Sequence, residues 1–440
     1  MNISRWIAHF IARFIIFPAL PFLFLSPGII LAAEVNEPPL SNTERDIVSW
    51  VNSQEAGMVT LLETITNINS GSLNKSGLGE ISEIFTEELG KLGFAVSKLP
   101  GETIDMPHCP NSGLNLDLAD HLLASRTGDN NKLLLMGHMD TVFPIDSPFQ
   151  EFSIEGGIIN GPGVYDMKGG LVVMLYALKA LNQFGLLENQ HISVLLNSDE
   201  EVGSLSSRTY LEQQALLHDY GLVFEGSAGN NQIRQRKGLG QARFVVNGRA
   251  SHAGSSHQEG RSAIRELAYK IIELENMTDY ETGLTVNVGI VSGGEARNMV
   301  APCAEAYVDL RYPTPEQGIT ARQQFESISA SLFGFPDGSD EVSTDVWINL
   351  HRPPKIPTAE SDFLLNRTIA LGRLLGEQIG ISNSGGGTDG SLTQAVGLPT
   401  LDSLGLTGSG GHSQREQAEL SSFIQATSRA AILVHRLLNN

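Results

Sequence analysis

The chain has 440 residues, a length that predicts two or three domains, or one large α/β domain with an insertion. It carries 29 lysines and arginines against 49 aspartates and glutamates, and this net charge of −20 argues against binding to nucleic acid or to acidic membrane surfaces. The hydrophobic fraction of 41% is that of a globular protein and excludes a disordered chain.

The first segment has the pattern of a secretory signal. Within residues 1–33, two arginines precede an apolar run over 15–31, and the small residues Ala32 and Ala33 follow. We therefore expect export with cleavage after Ala33, and a secreted or periplasmic protein without a stable membrane span. The alternative is an uncleaved membrane anchor, which three prolines in the segment disfavour.

Apolar strands and helices alternate along the next part of the chain, as in a mainly parallel α/β sheet. The predicted elements are helices beginning near Glu44 and over 57–68, 79–92 and 168–184, and buried strands over 132–137, 191–197 and 221–224.

The pattern changes after Gly238 and changes back after Arg352. The predicted elements between them are strands over 241–247, 284–291 and 304–312, and helices over 261–275 and 315–333. This order indicates a smaller α+β domain with an open sheet. The α/β pattern then returns with a helix over 361–378, a glycine-rich turn over 384–390, a strand over 398–404 and a helix over 418–438. We thus predict an α/β domain in two parts, 44–237 and 350–440, interrupted by an inserted domain, 238–349.

The two cysteines, Cys109 and Cys303, lie far apart and in no CxxC pattern, which excludes a thiolate metal site. A disulfide between them is open, but no framework pattern indicates one. We therefore expect two unrelated free thiols.

The first group that could carry chemistry is His138-Met139-Asp140, which directly follows a predicted strand. Residues two apart in extended backbone point the same way, so His138 can bind a metal ion while Asp140 orients its ring. Taken alone, this short motif is more typical of a solvated turn.

Three further carboxylate groups follow predicted strands or glycine-rich turns. Asp166 lies between glycines at the start of a helix, where it either caps the helix or bridges two metal ions. The run Asp199-Glu200-Glu201 follows a strand, and its like charges repel unless a cation or solvent relieves them. It is either an acidic surface loop, or a metal ligand beside a general base. Glu225 ends a buried strand and needs a partner there.

His412 lies in a glycine-rich loop before the last helix, where a lone histidine is usually only exposed; alternatively, it completes the set. Nitrogen and oxygen ligands without thiolate suit a two-metal hydrolytic site, with zinc as the expected ion. The sequence has neither a GxSxG nucleophile elbow nor a GxxxxGK[ST] phosphate loop.

In this order, these residues closely resemble the aminoacylase/carboxypeptidase family of co-catalytic zinc metallopeptidases, above all its bacterial glutamate carboxypeptidase (carboxypeptidase G) branch. The resemblance spans roughly 44–438. The motifs that carry it are His138-Met-Asp140-Thr-Val142, Gly161-Pro-Gly-Val-Tyr-Asp166-Met-Lys-Gly-Gly170, Asp199-Glu200-Glu201-Val-Gly203, Ala250-Ser-His252-Ala-Gly254 and Gly385-Gly-Gly-Thr-Asp389. Tyr165 departs from the pattern, since the family often has alanine there, and residues 101–131 match no motif.

The resemblance implies two Zn²⁺ ions per subunit and a role for each site residue. His138 and Glu225 would hold one ion, Glu201 and His412 would hold the other, and Asp166 would bridge them. Glu200 would be the general base, and Asp140 would orient His138.

The resemblance also implies that the inserted domain is a lid that mediates a homodimer. His252 would reach the active site of the partner subunit and stabilise the oxyanion. Asn298 would help to bind the substrate carboxylate. Further candidates for that carboxylate are Arg311, Arg352 and the glycine-rich loop with Gly386, Gly387 and Thr388. Surface salt bridges are the alternative for the two arginines.

The expected reaction is hydrolysis of a C-terminal amide, which releases an amino acid, glutamate in the first instance, from small peptides or folate-like conjugates. The same machinery would serve a deacylase of N-acyl amino acids, and the sequence does not separate the two. A non-catalytic exported binding protein is disfavoured, because neither Glu200 nor any expected ligand is missing.

Overall fold

The elements of the fold follow the predicted alternation. The computed structural model describes residues 37–109, 115–335 and 338–439, so the predicted signal over 1–33 lies outside the described residues. The helices are α1 (Asn42–Asn52), α2 (Glu55–Thr66), α3 (Lys75–Lys91), α4 (Lys168–Gln183), α5 (Arg208–Ala215), α6 (Ala263–Glu275), α7 (Pro315–Ala330), α8 (Ala359–Leu374), α9 (Asp389–Ala395) and α10 (Ser422–Leu438). The strands are β1 (Ala95–Leu99), β2 (Thr103–Ile104), β3 (Leu116–Asp117), β4 (His121–Arg126), β5 (Lys132–His138), β6 (Ser153–Glu155), β7 (Ile158–Asn160), β8 (His191–Asn197), β9 (Tyr220–Val223), β10 (Ser227–Ala228), β11 (Asn231–Arg236), β12 (Gly238–Asn247), β13 (Thr285–Gly293), β14 (Cys303–Tyr312), β15 (Ser343–Arg352), β16 (Gly380–Ser384), β17 (Thr400–Leu401), β18 (Thr407–Ser409) and β19 (Gln417–Glu419).

The central sheet has six strands in the order β1-β4-β8-β5-β9-β17. The four strands β8, β5, β9 and β17 are parallel to one another. At one edge, β4 pairs antiparallel with β8, and β1 pairs antiparallel with β4. This confirms the predicted mainly parallel α/β sheet. Because β8, β5 and β9 are parallel neighbours, their carboxyl ends lie side by side at one edge of the sheet.

Helix α4 anchors the core beside this sheet. Nearly every residue from Lys168 to Leu181 is buried, and the helix packs against α1, α2 and α10. Each fully buried Leu or Val contributes about 1.5–3 kcal/mol of transfer free energy. The Lys168 amine donates hydrogen bonds to the carbonyl oxygens of Ile65 (2.9 Å) and Ile68 (3.0 Å). The start of α4 is therefore fixed against the end of α2 and the residues directly after it.

The inserted segment forms a separate four-stranded antiparallel sheet in the order β13-β14-β12-β15, which we call the lid sheet. Helices α6 and α7 cover one of its faces around Phe244 and Phe325. The predicted strands and helices of the insert are all present with small shifts of their ends. Strand β15 was not predicted, and it runs across the expected boundary between 349 and 350.

The last part of the chain differs from prediction more than the rest: the helix expected over 361–378 ends at Leu374, and β16, α9 and β18 were not predicted. The strand expected over 398–404 is limited to β17, and the helix expected from residue 418 begins at Ser422. The residues before it form β19 instead, which pairs with β18 and β7 in a second, five-stranded sheet. This sheet holds the loop that carries His412.

The two cysteines form a disulfide, so the expectation of free thiols was wrong. The bridge joins Cys109, between β2 and β3, to Cys303 at the start of β14, across 194 residues. Folding brings the two together in a small buried cluster with Val245. A single long-range pair leaves no spacing pattern in the sequence, which is why the sequence did not indicate it.

In the described part of the chain, no helix combines the length and apolarity needed to cross a bilayer.

Candidate active site

The predicted ligands lie where the parallel strands end. His138 is the last residue of β5, Glu200 and Glu201 follow β8 in a 3₁₀ turn, and Glu225 lies two residues beyond β9. Because β8, β5 and β9 are neighbours in the sheet, these four side chains converge on one edge.

Two loops bring the remaining ligands to the same edge. Asp166 lies just before α4, where the buried carboxylate of Glu416 accepts hydrogen bonds from the backbone N–H groups of Tyr165 (3.0 Å) and Asp166 (2.9 Å). His412 lies in the loop between β18 and β19, in a left-handed backbone conformation with φ of 61°. Glu416 thus fixes the backbone at the centre of the site.

The first group that could hold a metal ion, which we call the first ligand group, consists of His138, Asp166 and Glu225. The His138 Nε2 atom lies 3.2 Å from Asp166 Oδ1 and 3.7 Å from Glu225 Oε1. The Nδ1 atom of the same ring lies 3.0 Å from the Asp140 carbonyl oxygen and 3.4 Å from its carboxylate. Asp140 therefore keeps the proton on Nδ1 and leaves the Nε2 lone pair for a metal ion.

The second ligand group consists of Asp166, Glu201 and His412. The His412 Nε2 atom lies 3.2 Å from Asp166 Oδ2 and 3.1 Å from Glu201 Oε2. Asp166 thus turns one carboxylate oxygen towards each histidine. This is the arrangement that a bridging carboxylate between two ions requires.

The electrostatics of the cluster favour a bound cation. Burial, reinforced by the Asp166 charge, raises the pKa of Glu201 to about 8 and the pKa of Glu225 well above its ordinary value. Hydrogen bonds to Asp166 and Glu201 raise the pKa of His412 to about 11. Crowded carboxylates that attract protons in this way attract divalent cations for the same reason.

A second observation also indicates that these residues are suited to hold metal ions. The Nε2 atom of His138 is buried and has no hydrogen-bond partner among the described residues, although it faces two carboxylates. An unpartnered buried nitrogen is costly unless something binds its lone pair. Nitrogen and oxygen donors without thiolate match the hard to borderline divalent ions.

Glu200 lies beside the ligands but belongs to neither group. Its Oε1 atom accepts a hydrogen bond from Arg352 Nη2 at 2.8 Å. Burial opposes ionisation of this carboxyl, but the charge of Arg352, the charge of His138 and the Arg352 hydrogen bond together outweigh it and hold the pKa of Glu200 below its ordinary value. Glu200 is therefore an ionised carboxylate that can accept a proton.

The other two carboxylates of these motifs have supporting contacts. Asp140 accepts hydrogen bonds from the backbone N–H groups of Glu200 and Glu201, both at 3.1 Å, and so shapes the turn that carries them. Asp199 is fully buried, and its oxygens are taken by Ser206 and Ser207. Asp199 therefore stabilises the loop and does not face the cluster.

A cavity of about 240 Å³ opens on the ligands and is walled on its far side by the lid sheet. Four of the predicted substrate-binding residues line it: Arg311, Arg352, Gly386 and Gly387. Thr388 does not, because its side chain is buried and accepts a hydrogen bond from Gly390 N at the start of α9.

The alternative of surface salt bridges does not hold for Arg352, which is 1% exposed and contacts Glu200, Ser204 and Asp389. Arg311 is half-buried and pairs with Asp309 on its own strand.

His252 and Asn298 do not line this cavity. Both are exposed on the lid, and the Asn298 carbonyl oxygen accepts a hydrogen bond from Ala253 N next to His252. His252 Nδ1 accepts hydrogen bonds from Gly254 N (3.0 Å) and Ser255 N (3.1 Å), so its Nε2 carries the proton. The single chain thus does not bring them to its own ligand cluster.

Three residues of the site were missed by the sequence analysis. Arg236 lines the cavity and is paired with the buried Asp402 at 2.6 Å. His351 lines the cavity from β15, and the Glu416 carboxylate accepts a hydrogen bond from the backbone N–H group of Asp166. The glutamate four residues after His412 could have been noticed in the sequence. Arg236 and His351 lie on strands, and the sequence does not show which way their side chains face.

Comparison with known proteins identifies the family to which the chain belongs. The model of "Peptidase family M20/M25/M40" matches residues 134–436. Carboxypeptidase G2 of Pseudomonas sp. (strain RS-16) is 30% identical over 390 residues, 87% of this chain and 89% of that protein. Acetylornithine deacetylase of Proteus mirabilis (strain HI4320) is 29% identical over 229 residues, 48% of this chain and 57% of that protein.

A solved structure confirms the fold class. The M20 family metallo-carboxypeptidase Sso-CP2 from Sulfolobus solfataricus superposes with a TM-score of 0.66 at 18% identity, over 87% of this chain and 99% of that one. With the family model matching most of the chain, this protein belongs to peptidase family M20/M25/M40 and is a hydrolase of the metallopeptidase class.

Proposed function

We propose that the protein is a di-zinc carboxypeptidase that releases a C-terminal amino acid, glutamate in the first instance, from small peptides or folate-like conjugates. The observation that carries the proposal is the pair of ligand groups sharing Asp166, beside an ionised Glu200 and an arginine-lined cavity. The relative named carboxypeptidase G2 supports the choice of bond.

The residues of the two groups would hold one Zn²⁺ each: His138 and Glu225 the first, Glu201 and His412 the second, with Asp166 shared. Ions held there would supply Lewis acidity, which lowers the pKa of water towards neutrality and polarises the scissile carbonyl. Asp140 supports this by fixing the proton on His138 Nδ1.

Glu200 moves the proton in this proposal. Its carboxylate oxygen accepts a proton from the attacking water and later delivers it to the leaving nitrogen, as a general base and then a general acid. Arg352 keeps Glu200 ionised and holds its orientation through the 2.8 Å hydrogen bond. Arg352 is thus a positioning residue for the base.

Recognition of the free carboxylate falls to the positive groups of the cavity. Arg311 and Arg236 line it, and the Nε and Nη1 atoms of Arg352 are buried without a hydrogen-bond partner among the described residues. The backbone of Gly386 and Gly387 lies at the same wall. An exopeptidase needs this concentration of donors, whereas an endopeptidase does not.

Deacylation of N-acyl amino acids is the second candidate. The similarity to acetylornithine deacetylase favours it, and so does an apolar groove of about 500 Å³ on the other side of Glu201. Leu73, Val142 and Ile145 line this groove and are exposed. In this candidate function the groove would receive the apolar acyl group of the substrate.

We also propose that the protein is exported and dimeric. The predicted signal and the Cys109–Cys303 disulfide support export, since disulfides persist in oxidising compartments. Strand β13 is an edge of the lid sheet, and Ile290 and Val291 on it are exposed. Pairing of such edges would make a two-fold dimer and bring His252 and Asn298 to the partner's cavity.

A substrate panel tests the proposal. Zinc-loaded protein is assayed on a dipeptide ending in glutamate, on N-acetylglutamate and on a folate, each beside its C-terminal amide. The proposal predicts turnover of the free acids and much slower turnover of the amides. Equal turnover of acid and amide forms would contradict an exopeptidase, and activity on N-acetylglutamate alone would favour the deacylase.

A further inference from the structure

The imidazole of His351 is buried without a partner. The residue is 5% exposed, and neither ring nitrogen has a hydrogen-bond partner among the described residues. Burying an unsatisfied polar group costs about 1–3 kcal/mol, so such a group in a folded protein calls for an explanation. The mechanism above makes no use of this ring.

A β-bulge turns His351 towards the cavity. In the pairing of β15 with β12, Asn349 lies opposite Gln241, but Arg352 lies opposite Leu239, so β15 contains one extra residue. Because of this extra residue, the consecutive side chains of His351 and Arg352 both line the cavity. Bulges next to active sites commonly re-aim side chains in this way.

The turn after Glu201 leaves room for the ring. Gly203 adopts a φ of 103°, and a Cβ atom there would lie 2.8 Å from His351 Nδ1. The imidazole therefore packs against bare backbone beside the metal ligands. Gln241 and Arg311 line the same wall of the cavity.

We propose that His351 is a specificity residue that, together with Arg311, binds the free carboxylate of the departing amino acid. This inference rests on the proposed function. The surroundings are suited to an anion, because Arg311 and Arg352 line the same cavity. Burial and the charges of Arg352, Arg311 and Arg208 hold the pKa of His351 well below its ordinary value. The ring is therefore neutral and offers one N–H donor to a carboxylate oxygen.

Kinetics on matched substrates test the inference. The readout is the ratio of kcat/KM for a dipeptide ending in glutamate to kcat/KM for its C-terminal amide. A hydrogen bond to a charged group corresponds to a tenfold to hundredfold effect, so His351→Leu should lower this ratio by about that factor. His351→Gln, which keeps a donor, should retain part of the preference. Asn349→Leu, on the same strand but outside the cavity, should leave the ratio unchanged.

A measurement of thermal stability distinguishes a carboxylate-binding role of His351 from a packing role. Replacing an unsatisfied imidazole with leucine should leave the Tm unchanged or raise it, because the buried polar group is removed. A lower Tm with an unchanged acid-to-amide ratio would show that His351 is a packing residue and would overturn the inference.

If the wild type hydrolyses neither substrate, the proposed function is wrong, but the role of His351 can still be tested by a binding measurement. Zinc-loaded protein with isotope-labelled histidine is titrated with L-glutamate and with its α-amide, and His351→Gln identifies the ring resonance among the 11 histidines. A shift with the acid and none with the amide supports the inference. No shift with either overturns it.

Discussion

Removing the Cys109–Cys303 bridge should strongly destabilise the protein. The bridge closes a loop of 194 residues, and in the chain-entropy model a loop of that length restricts the unfolded state by on the order of 5 kcal/mol at 25 °C. Whole domains are commonly stable by only about 5–15 kcal/mol. Cys109→Ala/Cys303→Ala should therefore lower the free energy of unfolding by about 2–5 kcal/mol.

Packing of the two cysteines makes a second, smaller contribution to the free energy of unfolding, because both sulfur atoms are buried beside Val245. Chemically reduced wild type keeps both sulfur atoms and loses only the covalent bond. The difference between oxidised and reduced wild type is therefore the contribution of the cross-link. The further difference to the alanine variant is the contribution of packing.

Urea unfolding of protein produced in an oxidising compartment, followed by circular dichroism with and without a reductant, measures both differences. A thiol titration in denaturant should find no free thiol in the oxidised protein. Two free thiols per chain would show that the disulfide does not form. Coincident unfolding curves for the oxidised and reduced forms would show that it does not stabilise the protein.

Three further predictions concern the active site. Glu200→Gln should keep its bound metal and lose about a hundredfold to ten-thousandfold in kcat, because an amide cannot take the proton; near-normal kcat would exclude Glu200 as the base. Arg352→Met should raise the lower apparent pKa of the kcat–pH profile, because the charge that keeps Glu200 ionised is gone; an unmoved acidic limb would remove Arg352 from this role. His252→Ala should cost about 2.7–4 kcal/mol of transition-state stabilisation without loss of metal, and mixing it with Glu200→Gln should restore activity in hybrid dimers; demonstrated subunit exchange without activity would exclude action in trans.

The clustering of the candidate metal ligands could be predicted because its signals are local. His138, Glu201 and Glu225 each follow a buried strand, and parallel strands bring such positions together whatever the intervening sequence. Asp166 and His412 were found through glycine-rich loops and the family resemblance. The burial and charge of these side chains in the folded protein then give physical reasons to expect a bound cation, and the motifs alone do not contain those reasons.

What the sequence did not reveal depends on pairing between distant residues. The disulfide joins positions 194 residues apart, and a single pair leaves no spacing pattern. The direction of His351 depends on one extra residue in the register of β15 against β12, a property of two strands that neither segment shows alone. Arg352 was expected to bind substrate, and only folding brings it against Glu200.

The proposed site holds two ions that share the Asp166 carboxylate, and metal content measured together with activity tests this. We expect two zinc ions per wild-type chain by elemental analysis, no activity after chelation and recovery when zinc is restored. Asp166→Ala should lose both ions and all activity, whereas Asn349→Leu should keep both. Full activity in metal-free wild-type protein, or two tightly bound ions in Asp166→Ala, would show that the two-metal site is wrong.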